Sequence, residues 1–254
     1  MTTDLRKANF TKRIAAALLD FVLLAVLVSG AATLLAVTFG YDSHADTIDA
    51  RRQHFENQYG IKFEITQEEY DALDEAAREN FDEAFDALLE DEAFLRAYNM
   101  QISLTMLITT FSVLFGVLAV EFAIPLFLKN GQTVGKKIFG IALVRTDGVQ
   151  VSKLQMFIRA VLGKFTIELM IPIYAVLMVF FNAANIFTLA ILGGLLLGQL
   201  VCVAATRTNS PIHDLLAGTA AVDMATQMIF KSREDLLEYT KKLHAEEANR
   251  AEYF

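Results

Sequence analysis

The sequence predicts an all-α membrane protein: a four-transmembrane-helix bundle with a short cytoplasmic β-hairpin and an extracytoplasmic acidic helical insertion. Three observations carry this reading. Apolar residues make up 54% of the chain while charged residues still make up 20%, so the two classes must be segregated along it. The apolar residues gather in four runs, 14–39, 101–128, 165–181 and 186–205, each long enough to cross a bilayer or at the short limit for doing so. Lys and Arg gather in alternate connections between these runs, as the positive-inside bias requires.

The expected organisation is residues 1–37 as a cytoplasmic N-terminus and first span, 38–99 as an extracytoplasmic acidic helical loop, and 100–128 as the second span. Residues 129–164 form a cytoplasmic hairpin and amphipathic connector, 165–205 the third and fourth spans, and 206–254 a cytoplasmic tail. Ahead of the first run stand Arg6, Lys7, Lys12 and Arg13, with small residues following at 29–32. That pattern resembles a cleaved secretory signal, but Asp20 inside the run and the run's length argue for an uncleaved span.

The 38–99 segment holds 17 acidic and five basic residues. Thr66 and Glu69 read as a capping box, with Ile65 and Tyr70 as its hydrophobic staple. From there Tyr70, Leu73, Ala77, Phe81, Phe85 and Leu88 recur at spacings of three and four, which predicts an amphipathic helix. Its acidic face is either a cation-attracting or partner-binding cap or, more simply, a solvated surface.

After the second run, Ile138 to Val144 is β-rich, Asp147-Gly148 marks a tight turn and Val149 to Val151 resumes the alternation, which predicts the hairpin. The preceding Gly131-Gln-Thr-Val-Gly-Lys136 invites a phosphate-loop reading. Its glycine spacing is one residue short and Lys137 stands where Ser or Thr is needed, so nucleotide binding is not expected. The third run is short, but flanking Lys164 is able to snorkel. The fourth has no charge, and Cys202 within it is the single cysteine, so no disulfide framework or cysteine metal site is expected. In the tail, Ile229, Leu236 and Leu243 are spaced by seven, a stripe for a short coiled coil or for the cytoplasmic face. Of the 22 basic residues, 17 fall on the side of the termini, none in the 182–185 turn, and both termini are expected in the cytoplasm.

Three carboxylates lie in the apolar runs: Asp20, Glu121 and Glu168. Burying each is costly, so each is a candidate transport or ion-binding residue. Glu121-Phe-Ala-Ile-Pro125 and Glu168-Leu-Met-Ile-Pro172 share one arrangement. Proline leaves the carbonyl four residues earlier without its usual donor, and here that carbonyl is the glutamate's own. A carboxylate beside a freed carbonyl suits a hard cation such as Na⁺, with two ordinary proline kinks as the alternative. A half-buried carboxylate with a raised pKa could exchange a proton for that cation; pairing with Arg13, Arg159 or Arg207 would instead make it structural. Arg13 and Asp20 share a helix face about 10 Å apart along the axis, too far to pair. Asp214 is placed to accept a bond from Arg13 or Arg159, a charge latch. No nucleophile completes a triad with His213 and Asp214, and no second histidine lies near to complete a metal site, so neither catalysis nor a cofactor is expected.

Arg13-Ile-Ala-Ala-Ala-Leu-Leu-Asp20, Gly131-Gln-Thr-Val-Gly-Lys-Lys-Ile-Phe-Gly-Ile141, Asp147-Gly, Arg159 and His213-Asp214-Leu-Leu-Ala-Gly-Thr219 together resemble the RDD family of bacterial membrane proteins. The likeness covers most of residues 6–225 outside the long loop. It implies that the family's arginine and two aspartates correspond to Arg13, Asp20 and Asp214, and a place in the bacterial inner membrane. Some members are associated with Na⁺(Li⁺, K⁺)/H⁺ antiport, others with other solutes, and relatives serve as scaffolds. The acidic loop and charged tail depart from the usual compact form.

The expectation is therefore a transporter exchanging monovalent cations for protons through Asp20, Glu121 and Glu168, with a membrane scaffold or assembly factor as the alternative. The expected partners are the lipid bilayer, a monovalent cation and a proton, with no nucleic acid. Four helices are few for alternating access, and a homo-oligomer packed through Gly193, Gly194 and Gly198 would supply the missing wall.

Overall fold

The computed structural model describes residues 5–181, 183 and 185–252; the predicted 182–185 turn includes residues 182 and 184, which lie outside the described residues. In chain order the elements are α1 (Phe10–Thr38), α2 (Tyr41–Tyr59), α3 (Gln67–Asp71), α4 (Glu75–Glu90), α5 (Glu92–Phe127), α6 (Val134–Ile138), β1 (Ile141–Arg145), α7 (Lys153–Phe180), α8 (Ile186–Ala205), α9 (Ile212–Ala217), β2 (Thr219–Asp223) and α10 (Arg233–Glu252). Among the described residues α1, α5, α7 and α8 are long and apolar enough to cross a membrane. Large apolar side chains such as Val26, Phe115, Val176 and Leu200 remain exposed on their outer faces, as a lipid-facing surface demands.

Two spans are longer than the apolar runs suggest. α5 starts at Glu92 because Asp91 caps it, accepting from the Phe94 amide at 2.7 Å. α7 starts at Lys153 under a capping box made by Ser152 and Gln155, so Arg159 and Lys164 lie on the same continuous helix as the third apolar run.

The chain divides into two compact units, residues 29–112 and residues 1–28 with 113–254. In the first, Phe55, Leu88 and Phe94 form a core with Ile48, Tyr59 and Phe63 packed against it. Arg51 grips Asp91 with two bonds, 3.0 Å from Nε and 2.5 Å from Nη2. The Thr66–Glu69 capping box is present, but the helix it opens stops at Asp71, and Asp74 caps a new one at Glu75. The single amphipathic helix read from the sequence is thus two, because the Asp74 carboxylate takes the Ala77 amide and starts the register afresh.

In the second unit α1 and α5 approach closely at Gly116, where a Cβ would lie 2.7 Å from Val28 and 2.9 Å from Leu24. α7 and α9 meet at Gly163, where a Cβ would fall 2.5 Å from that of His213. Val113, Val117, Ala160 and Met170 form the core between the spans.

The predicted hairpin needs correction. The Asp147-Gly148 turn forms, with the Arg145 amide bonded to the Val149 carbonyl at 2.8 Å, but the return arm makes only an isolated bridge, Val144 to Gln150. The main partner of β1 is the distant β2, antiparallel, from Ile141 opposite Asp223 to Arg145 opposite Thr219. Ile141 to Val144 are all at most 1% exposed, so β1 needs pairing along both edges; the second partner, Thr-Ala-Ala-Val-Asp, has too little β-branched character to announce itself. Extended segments widen the layer: Lys7 bridges Val222 and Phe230 bridges Val149. Ile229 packs on this sheet, outside α10, so it does not continue a stripe with Leu236 and Leu243.

A charge network across four spans

The site begins with two distortions. Residues Leu118–Ala123 of α5 and Arg159–Met170 of α7 are π-helical, and each stretch ends just before a proline. The Ile124 amide bonds the Ala119 carbonyl and the Ile171 amide the Thr166 carbonyl, five residues back in both cases. Pro125 and Pro172 lack the N–H that a regular turn would use there, and the wider π turn is the local answer. The two Glu-x-x-x-Pro elements therefore mark π segments, which carry Glu121, Arg159, Lys164 and Glu168.

Asp20, 4% exposed on α1, receives the Thr133 hydroxyl at 2.5 Å and the Gly135 amide at 2.8 Å, with the Lys136 ammonium 3.8 Å away. These are the groups at the start of α6, so the aspartate closes a helix N-terminus from another element. Gly135 is obligatory, since a Cβ there would lie 2.2 Å from the Ala16 carbonyl oxygen. The glycine-rich stretch that resembles a phosphate loop thus wraps an internal carboxylate.

Glu121, equally buried, accepts from Arg159 Nη1 at 2.8 Å and from the Lys164 ammonium, with Lys136 3.9 Å away. Arg159 distributes its guanidinium over three partners: Glu121, Asp214 through Nε at 2.7 Å, and His213 Nε2 through Nη2 at 3.0 Å. Asp214 also accepts from the Thr219 hydroxyl at 3.0 Å. His213 Nδ1 lies 2.8 Å from both oxygens of Glu168, whose Oε1 further accepts from Gln199 on α8 at 3.2 Å. If Nε2 accepts from Arg159, Nδ1 carries the proton and donates it to Glu168, which assigns a neutral imidazole and an ionised carboxylate.

Outside the spans the electrostatics follow from burial. Burial pushes the Lys136 ammonium down to about 8, with Glu121 acting in the opposite direction. Burial also pushes His213 below its usual value, opposed by Asp214 and assisted by Arg159. Burial disfavours ionised Asp214, but the Arg159 guanidinium outweighs it and holds the carboxyl well below the usual aspartate range.

Of the six residues singled out in the sequence, Glu121, Arg159 and Asp214 are joined directly, and Asp20 and Glu168 reach them through Lys136 and His213. Arg13 shares the smaller cavity with Asp214 and feels its charge, but its Nη1 donates to the Thr208 carbonyl at 3.1 Å, and the hydrogen-bonded guanidinium partner of Asp214 is Arg159. Sequence reasoning missed Thr133, Gly135, Lys136 and Gln199 as members. It also gave Lys164 a snorkelling role, whereas its ammonium turns inward to Glu121.

The network borders two cavities. The larger, about 590 Å³, meets Asp20, Glu121, Glu168, Lys164 and Gln199 against an otherwise apolar wall from all four spans. The smaller, about 200 Å³, meets Arg13, Lys136, Arg159, His213 and Asp214. Asp20 and Lys164 line both. Among the described residues no cluster of three or more His, Cys, Asp or Glu is arranged to hold a metal ion.

Comparison with known proteins adds the family but no activity. The chain is 30% identical over 103 residues to the uncharacterized protein YckC of Bacillus subtilis (strain 168), a match covering 41% of this chain and 54% of that one. The match thus spans about half the length of this curated relative. No solved structure matches the chain. The model of the RDD family matches residues 7–218, which include every charged residue of the network, and with four apolar helices of spanning length the chain is an integral membrane protein that belongs to the RDD family.

Proposed function

We propose that this protein is a transporter of the bacterial inner membrane that exchanges a monovalent cation for protons, with Asp20, Glu121 and Glu168 as the carboxylates on its path. The observation that carries the proposal is the charge network lying between two cavities, with Asp20 and Lys164 on the wall of each. A transported ion needs a polar site reachable from two directions, and broken helices within spans are where transporters build such sites. Glu121, held by Arg159, Lys164 and Lys136, is the fixed anion of the group. Asp20 and Glu168, each held by groups that a cation or proton could displace, are the exchanging ones.

The basic residues of the 129–164 and 206–254 segments and of the N-terminus support a cytoplasmic side for both termini, with the acidic 38–99 loop outside. Gly193 and Gly194 face open space, which suits packing of α8 against a second copy. The direct test is purified protein in liposomes with a pH dye inside and Na⁺, K⁺ or Li⁺ added outside. A cation-dependent pH change supports exchange; none from folded protein refutes it. The scaffold reading draws support from one feature, that each of the three carboxylates already has a bonded partner. It predicts a folded, inert protein in the same assay.

A further inference from the structure

The larger cavity is far bigger and more apolar than a bare alkali cation needs. Its volume of about 590 Å³ falls within the usual range for small-molecule sites, which are mainly apolar with a few placed polar groups. The polar groups are gathered on the network side, and the rest of the wall is hydrocarbon from residues such as Leu24, Val117, Leu169 and Leu195. Phe21 on α1 and Leu196 on α8 line it while being 61% and 64% exposed, so the cavity reaches the lipid-facing surface of the bundle.

The charge at its polar end is unequal: three carboxylates and one lysine line the cavity, and that lysine is bonded to Glu121. Side-chain exposure separates the carboxylates. Glu168 is 20% exposed, whereas Asp20 is 5% and Glu121 4%. Glu168 is held by a histidine assigned as neutral, through its Nδ1 and its backbone amide, and by the Gln199 amide, so with its greater exposure it is the anion that an incoming positive group meets first. Burying hydrocarbon against such a wall is favourable, whereas burying a free hydrated ion there gains nothing.

We propose that this cavity binds an amphiphilic ammonium, with the N–H group on Glu168 and a hydrocarbon tail along the apolar wall, entering from the bilayer between Phe21 and Leu196. The inference rests on the transport reading for the role of the cavity and specifies the class of its cation. Two sources share this chemistry, a free alkylamine and a lipid with an amine headgroup.

The test is saturation binding of radiolabelled decylammonium to the full-length protein in phosphatidylcholine nanodiscs, with empty nanodiscs subtracted and no ion gradient. Saturable binding is expected, with methylammonium and decanol each competing at least about ten-fold more weakly, since one lacks the tail and the other the charge. Glu168→Gln should weaken decylammonium about ten-fold and leave decanol unchanged. Leu196→Trp, away from the network, should weaken both by filling the cavity, and keeps the test available if Glu168→Gln does not fold. Competition by phosphatidylethanolamine built into the disc supports the site with a lipid as its ligand; its failure to compete supports the site with a free amphiphile. No saturable binding above empty discs, or decanol binding as tightly as decylammonium, overturns the proposal. Binding without proton flux in liposomes given Na⁺, K⁺, Li⁺ or decylammonium refutes transport alone, and flux of Na⁺, K⁺ or Li⁺ without binding refutes this inference alone.

Discussion

Arg159 on α7 and Asp214 on α9 meet at 2.7 Å with both side chains at most 4% exposed, and the same guanidinium reaches Glu121 on α5. One arginine thereby ties three elements together. Removing it takes from buried Asp214 its bonded guanidinium and from Glu121 one of its two bonded cations, and breaking such a buried pair typically costs about 3–5 kcal/mol. Arg159→Leu should lower the unfolding temperature strongly in detergent, and Arg159→Lys should recover little, because an ammonium does not serve Glu121, Asp214 and His213 together. Equal stability of Arg159→Leu and wild type would remove the guanidinium from its structural role.

Gly135→Ala should destabilise by roughly 1–3 kcal/mol, the usual cost of overpacking, because its Cβ would collide with the Ala16 carbonyl at 2.2 Å. Gly193→Ala faces open space within one copy, so in the monomer it should leave the unfolding temperature unchanged or raise it. Thermal unfolding of the two variants side by side decides this; a loss at Gly193 would mean that α8 packs there against a second copy.

Two groups outside the spans set the pH response. His213 is held below its usual value in the folded protein, so the unfolded chain binds more protons in that range. Stability should therefore fall as pH drops through the usual histidine value, and His213→Gln should flatten this part of the profile. Lys136 titrates at about 8 when folded, against 10.5 when unfolded. The unfolded chain again binds more protons between those values, so stability should rise with pH across that window, and Lys136→Gln should abolish the rise. Unfolding temperatures measured from pH 5 to 10.5 would show both slopes or their absence.

With Cys202 replaced by Ser, a cysteine at Ser43 should react with an impermeant maleimide added to whole cells, while one at Ser232 should react only after permeabilisation. The reverse pattern would invert the orientation read from the basic residues.

The four spans and the three carboxylates within them were legible because charge in an apolar run is rare enough to stand out. The partners were less legible. Lys164 and Glu168 are four residues apart and line one cavity, yet their bonded partners, Glu121 for Lys164 and His213 for Glu168, lie far from them in the sequence. Thr133 and Gly135 carry no chemistry in the linear sequence; their role exists only once α6 ends against Asp20. The β1–β2 pair joins segments more than seventy residues apart, and no local pattern encodes that contact.

Asp20→Asn is the most informative change, since the amide retains the oxygen that accepts from Gly135 but loses the charge that a proton or cation would neutralise. Wild-type and Asp20→Asn protein of matched unfolding temperature should be reconstituted together and internal pH recorded as the external cation is stepped. A cation-dependent proton flux in wild type that falls to the level of empty liposomes in Asp20→Asn is the expected result. Equal flux in the two proteins would contradict a carrier role for Asp20 and with it the exchange mechanism.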